Sequence, residues 1–159
     1  MKLVKIISGG QTGADRAALD VAIDSGMDYG GAVPMGRKTE NGPLAAKYRK
    51  MTELQSPQYA VRTKQNILTA DGTLIFSYGN PSGGSGLTVR LAQQHDKPFL
   101  VVDLEMETAA SAAALITAWL KNVRPAVLNV AGPRESEHPG TYQKVFSILQ
   151  KVLRQKRGR

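Results

Sequence analysis

Along this chain, short apolar runs alternate with longer segments in which apolar positions recur at helical spacing. Leu3-Val4-Lys5-Ile6-Ile7 predicts a buried first strand. Ala14 to Ser25 predicts a helix: Ala18, Leu19, Ala22 and Ile23 share one stripe, and Gly26 stands where helices commonly stop. Gly30 to Val33 predicts a short second strand, ended by Pro34. Met35 to Pro57 carries little periodicity and reads as a long loop with a short helix at Leu44 to Lys50. Tyr59 to Ala70 predicts a helix, Asp71-Gly72 a turn, and Thr73 to Tyr78 the third strand. Leu87 to His95 predicts a helix and Pro98 to Asp103 the fourth strand. Ala109 to Lys121 predicts a helix with Ala112, Leu115, Ile116, Trp119 and Leu120 on one face. Ala126 to Ala131 predicts the fifth strand. Tyr142 to Leu153 predicts a last helix with Val145, Phe146, Leu149, Val152 and Leu153 inward.

Strict alternation of strand and helix predicts an α/β fold: an open, mostly parallel sheet with helices on both faces. At 159 residues a single domain is expected. A strand order of 2-1-3-4-5 would make the first and third strands neighbours where the winding reverses, which is where such sheets bind ligands.

Both of those strands run into glycine-rich segments. Ser8-Gly9-Gly10-Gln11-Thr12-Gly13 follows the first, and Gly79-Asn80-Pro81-Ser82-Gly83-Gly84-Ser85-Gly86 follows the third. Glycines let backbone approach a phosphate, and the following helix offers free N–H groups at the positive end of its dipole. Two such loops predict one crevice gripping a small phosphorylated ligand, with Gly9, Gly10, Gly13, Gly83, Gly84, Ser85, Gly86 and Thr88 around the anion. Gln11 and Thr12 add side-chain donors. The first loop lacks the spacing of a dinucleotide fingerprint, and no Gly-Lys-Ser/Thr follows it as in a P-loop.

Asp15 and Arg16 open the first helix. Asp15 either complements the helix dipole, holds Arg16, or accepts hydrogen bonds from a ligand. Arg62 and Asn66 share a helix face, with Thr63 beside Arg62, and topology brings them to the ligand edge. On that placement Arg62→Ala is expected to weaken ligand binding with little change in folding stability. Arg37, Lys38, Thr39 and Glu40 are placed to close over a ligand. Arg134, in the segment after the fifth strand, is a further candidate for an anion, and Ser136 a candidate cap. His138 stands at the same edge without an identifiable partner.

Composition narrows this further. The absence of cysteine excludes a disulfide framework and a thiolate site, and two separated histidines argue against an intrinsic metal. With no signal-like segment and no long apolar run, a cytoplasmic protein without membrane contact is expected. The net charge is +8, and five of those positives, Lys151, Arg154, Lys156, Arg157 and Arg159, crowd the C-terminus. Without accompanying aromatics, the basic stretch from about residue 154 reads as a solvated tail rather than a nucleic-acid footprint.

The run Ser8 to Asp20, the Arg62-Thr63-x-x-Asn66 set, Asp71-Gly72-Thr73 and Asn129 to Ser136 together resemble the molybdenum (molybdenum cofactor) carrier family. That family belongs to a Rossmann-like nucleotide-sensing group that includes the Lonely-guy-type phosphoribohydrolases. The resemblance implies a Rossmann-like ligand-binding fold, a homo-oligomer, an anion site at the glycine loops, and molybdenum cofactor as candidate cargo. Those hydrolases carry Pro-Gly-Gly-x-Gly-Thr-x-x-Glu, whose glutamate serves hydrolysis. The matching run here is Ser82 to Arg90, with Arg90 at the glutamate position. A binding or carrier protein for a phosphorylated pterin or nucleotide is therefore expected. The alternatives are a nucleotide N-glycosidase in which Asp15 is catalytic, and a nucleotide sensor with a nucleic-acid-linked role.

Overall fold

The computed structural model describes residues 3–157. In chain order these form β1 (Lys5–Ile7), α1 (Ala14–Asp24), β2 (Asp28–Val33), β3 (Lys38–Thr39), β4 (Gly42–Pro43), β5 (Met51–Glu53), α2 (Tyr59–Thr69), β6 (Gly72–Ser77), α3 (Gly83–Gln94), β7 (Phe99–Asp103), α4 (Ala109–Val123), β8 (Val127–Ala131) and α5 (Thr141–Arg157). Six strands build one sheet in the order β5-β2-β1-β8-β6-β7, and every pairing in it is parallel. The expected open α/β sheet is thus present. Helices α1, α4 and α5 cover one face and α2 and α3 the other.

The strand order differs from the expected one. The first and third predicted strands, β1 and β6, are not neighbours. The last strand, β8, lies between them, with Ile6 opposite Leu128 on one side and Leu74 opposite Val130 on the other. The central position falls to a strand whose Leu128, Asn129 and Val130 are all buried. Strands consecutive in sequence usually sit side by side, and no single strand's composition states which others flank it.

The segment from Met35 to Pro57 is also more structured than expected. No helix forms at Leu44 to Lys50. The Arg37 guanidinium instead takes the carbonyls of Leu44, Ala45 and Tyr48, the first two of which a helix would have needed for itself. Leu44 and Tyr48 pack with Leu19 and Val33 in a small second core. The three residues of β5 complete the sheet edge, too short and too exposed to leave a pattern.

The main core joins α1, α4 and α5 to the sheet. Ala14, Ala17, Ala18 and Ala22 give α1 a flat face on which Val145, Ile148, Leu149 and Val152 of α5 close. Helix α3 starts at Gly83, four residues before the expected Leu87, so its glycines form a helical turn and not a loop. Helix α5 runs to Arg157 with Lys151 and Arg154 exposed, so the basic stretch is helical where described. Arg159 and the side chains of Lys156 and Arg157 lie outside the described residues.

Candidate functional site

The segments after β1, β8 and β6 meet at the carboxyl edge of the sheet around a cavity of about 490 Å³, and the first two turns of α2 form its side wall. Of the residues expected at a ligand, Gly9, Gln11, Asp15, Arg62, Thr63, Asn66, Gly83, Gly84, Ser85, Thr88 and Arg134 line this cavity. Gly10, Thr12, Gly13, Arg16 and Gly86 are not part of its wall.

The first glycine loop is folded on itself. The N–H of Gly10 donates to Ser8 Oγ at 3.3 Å, that of Gln11 to Asp15 Oδ2 at 3.3 Å, and that of Thr12 to Gln11 Oε1 at 3.0 Å. The N–H of Ala14 donates to the Pro133 carbonyl at 3.2 Å, so the segment after β8 seals the start of α1. Arg16 turns away from the cavity and holds the Gly10 carbonyl through Nε and Nη2.

Thr12 is engaged as well. Its hydroxyl donates to Glu40 and accepts from the N–H of Glu135 at 3.1 Å. Ser136 donates to Glu40 through its hydroxyl and its N–H. Glu40 thereby clips the β3–β4 hairpin onto both the first glycine loop and the segment after β8. Burial works against its charge, but the bonds from Ser136 and Thr12 prevail and hold its carboxyl below the usual range.

Arg62 is 8 % exposed. Its Nη1 donates to the Gly9 carbonyl at 2.7 Å and lies 3.6 Å from Asp15 Oδ2. Asn66 lines the cavity, yet both ends of its amide are spent on β2: Oδ1 accepts from the Ala32 N–H at 2.7 Å and Nδ2 donates to the Ala32 carbonyl at 3.1 Å. Above Arg62, the Tyr59 ring is faced by three cations, Lys38 at 4.4 Å, Arg62 at 5.2 Å and Arg134 at 5.5 Å. Arg134 also pairs with Glu137 at 3.2 Å.

Burial pushes the Asp15 carboxyl up to about 6, against the opposing pull of Arg62, the Gln11 N–H and Arg16. The folded state therefore favours the protonated form. The group weighs nothing below the unfolded value near 3.8 and costs progressively more as pH rises through about 6. We expect urea-unfolding free energies to fall by up to about 3 kcal/mol from this group between pH 4 and pH 7.5. Asp15→Asn should remove that slope; an unchanged slope in the variant would assign it to another group.

The second glycine segment is the open one. Ser82 precedes α3 with no side-chain cap, leaving Gly83, Gly84 and Ser85 at the cavity wall as an uncapped first turn. Thr88 Oγ1 donates to the Gly84 carbonyl at 2.8 Å. Arg90 is exposed and is not part of the wall, so it does not face Asp15 across the cavity.

The sequence left the partner of one lining residue, His138, unidentified. Tyr78 and His138 stack with centroids 4.0 Å apart, and Tyr78 is steadied by Thr141 at 3.0 Å. The partner missing for His138 is sixty residues away in sequence, joined only by the adjacency of β6 and β8. Asn129 in β8 is a further buried polar group in the wall. Among the described residues no group of three His, Cys, Asp or Glu is placed to hold a metal ion, and no helix is long and apolar enough to cross a membrane.

Comparison with known proteins agrees with this architecture. No curated protein matches the chain. The crystal structure of a "putative molybdenum carrier protein" from Syntrophus aciditrophicus SB is similar over 95 % of each chain, with 46 % identity and a TM-score of 0.92. The family model for circularly permutated YpsA SLOG proteins matches residues 6–153, from β1 into α5. A sheet whose central strand comes last in the chain is what such a permutation produces from a doubly wound parent. On the length of that match and the identity to the solved relative, the chain belongs to the circularly permutated YpsA SLOG family.

Proposed function

We propose that this protein binds or carries a small phosphorylated heterocycle, a pterin or a nucleotide, with molybdenum cofactor as candidate cargo. One observation carries the reading: an uncapped helix N-terminus rich in glycine and the guanidinium groups of Arg62 and Arg134 about Tyr59 share one cavity. Its volume suits a ligand of that size. The phosphate goes to the amides of Gly83, Gly84 and Ser85. The first glycine loop, its amides engaged internally, shapes the floor. Amides, guanidinium groups and hydroxyls suit the oxygens of an anion better than a bare metal ion. The solved relative described as a molybdenum carrier supports the choice of cargo. The resemblance adds the expectation of a homo-oligomer, and the lack of a signal-like segment that of a cytoplasmic protein.

Gly84→Asp separates this function from folding. Gly84 is exposed and a Cβ there meets nothing within 4 Å, so the variant fits. An acid in the first turn favours the helix by about 0.3–1 kcal/mol but repels an anion. We expect at least about a tenfold loss of calorimetric affinity for phosphate monoesters with the melting temperature unchanged or raised. Affinity equal to wild type would take the phosphate away from α3. Native mass spectrometry of protein from its own cells, with molybdenum quantified, identifies the cargo. A second reading draws on Asp15, a carboxyl at the cavity wall poised near pH 6, as a general acid or base needs. Base release from nucleoside monophosphates, lost in Asp15→Asn, would favour it over carriage.

A further inference from the structure

We propose that the cavity floor reads a lactam edge, a ring carbonyl beside a ring N–H, as on the 2-amino-4-oxopyrimidine of guanine or a pterin, and discriminates against adenine. The inference rests on the binding reading above and adds which edge of the ligand enters the floor.

Gln11 is 5 % exposed. Its Oε1 accepts from the backbone N–H of Thr12 at 3.0 Å and of Glu40 at 2.9 Å. Only the amide oxygen can meet two backbone donors, so the side chain's orientation is fixed and Nε2 is its remaining end. Nε2 is buried without a hydrogen-bond partner, and so is Nε of Arg62, whose Nη1 is committed to the Gly9 carbonyl. Both side chains line the cavity. Buried donors without partners are rare in folded proteins and call for an explanation.

Asp15 completes the pattern. Its Oδ2 lies 3.3 Å from the Gln11 N–H and 3.6 Å from Arg62 Nη1, and a carboxylate accepts up to four bonds. The floor therefore offers two donors and one acceptor, contributed by neighbouring residues. A carbonyl set against the donors and an N–H set against Asp15 satisfy all three. Both donors are sealed from solvent at the wall, so the ligand edge must open the surface over them while Gln11 Oε1 and Arg62 Nη1 keep their backbone partners. Adenine presents the reverse order, an amino group toward the donors and a bare ring nitrogen toward the carboxylate. A site built to pair polar groups rejects the analogue that leaves them unpaired.

Calorimetry on the wild-type protein with inorganic phosphate, AMP, GMP and a phosphorylated pterin tests this. GMP or the pterin phosphate should bind at least about tenfold tighter than AMP, and the tighter of the two names the source of the edge. Gln11→Glu keeps the oxygen that Thr12 and Glu40 need and turns the donor into an acceptor. It should erase the preference, and a preference that survives the change overturns the role given to Gln11. If that variant does not fold, the wild-type series decides alone. Equal affinity for the three heterocycles, or a preference for AMP, overturns the inference while phosphate binding stands. Absence of binding by every phosphate compound overturns the binding reading itself.

Discussion

Arg62→Ala should destabilise the fold by about 3–5 kcal/mol at pH 7.5, the usual cost of removing one member of a buried ion pair. The guanidinium ties α2 to the first glycine loop through the Gly9 carbonyl and offsets the buried charge of Asp15. Without it, Asp15 is left with backbone N–H donors and the field of Arg16. The loss should shrink near pH 5, because a carboxyl titrating at about 6 is then mostly neutral and no longer needs its partner. Urea unfolding at the two pH values reads both effects. A loss below about 1 kcal/mol at pH 7.5 would return Arg62 to the purely ligand-facing role that the sequence suggests. The structure revises that expectation: a residue buried to this degree is part of the fold as well as of the site.

Gly13→Ala should be nearly as damaging without touching any side chain of the cavity wall. Gly13 precedes α1 at φ 77 and ψ −128, a combination that residues with a Cβ adopt only under strain, at about 1–3 kcal/mol. A Cβ there would stand 2.3 Å from the Pro133 carbonyl oxygen and 2.9 Å from the Glu135 nitrogen. Both are backbone atoms, so relief requires moving the segment after β8, at a further cost of about 1–3 kcal/mol. The melting temperature should drop by roughly 5 °C or more. A variant melting within a degree of wild type would mean that this segment shifts freely, and that the seal over the start of α1 contributes little.

The helices and every strand of the main sheet but β5 were legible because their signals are local. Ala18, Leu19 and Ala22 repeat at helical spacing whatever lies beside them, and Ile6-Ile7 is apolar whichever strands flank it. The position of β8 was not legible, because adjacency depends on pairs such as Lys5 with Val127, far apart in sequence. The edge strand β5 left no mark, since only one of its three residues is even partly covered. At the site, sequence placed Arg62, Asp15, Gln11 and the α3 glycines at one edge. It did not show which of their polar atoms were already spent. Asn66 looks like a ligand group until its amide is found bonded at both ends to Ala32, and Thr12 until its hydroxyl is found on Glu40. Hydrogen-bond saturation belongs to the assembled structure, and it separates residues that hold the cavity's shape from those with capacity left for a ligand.

The strand at the centre of the sheet also sets the timetable of synthesis. A ribosome delivers β1, β2 and β5 first, then β6 and β7, and only afterwards β8. Until then the nascent chain can hold at most two partial sheets, whose inner strands β1 and β6 show unpaired backbone to each other and to neighbouring chains. Both halves wait for a segment that closes loops of very different length, and distant pairings of this kind form slowly. The interval before β8 emerges is thus when the chain is most exposed to mispairing, and the burden on chaperones falls there.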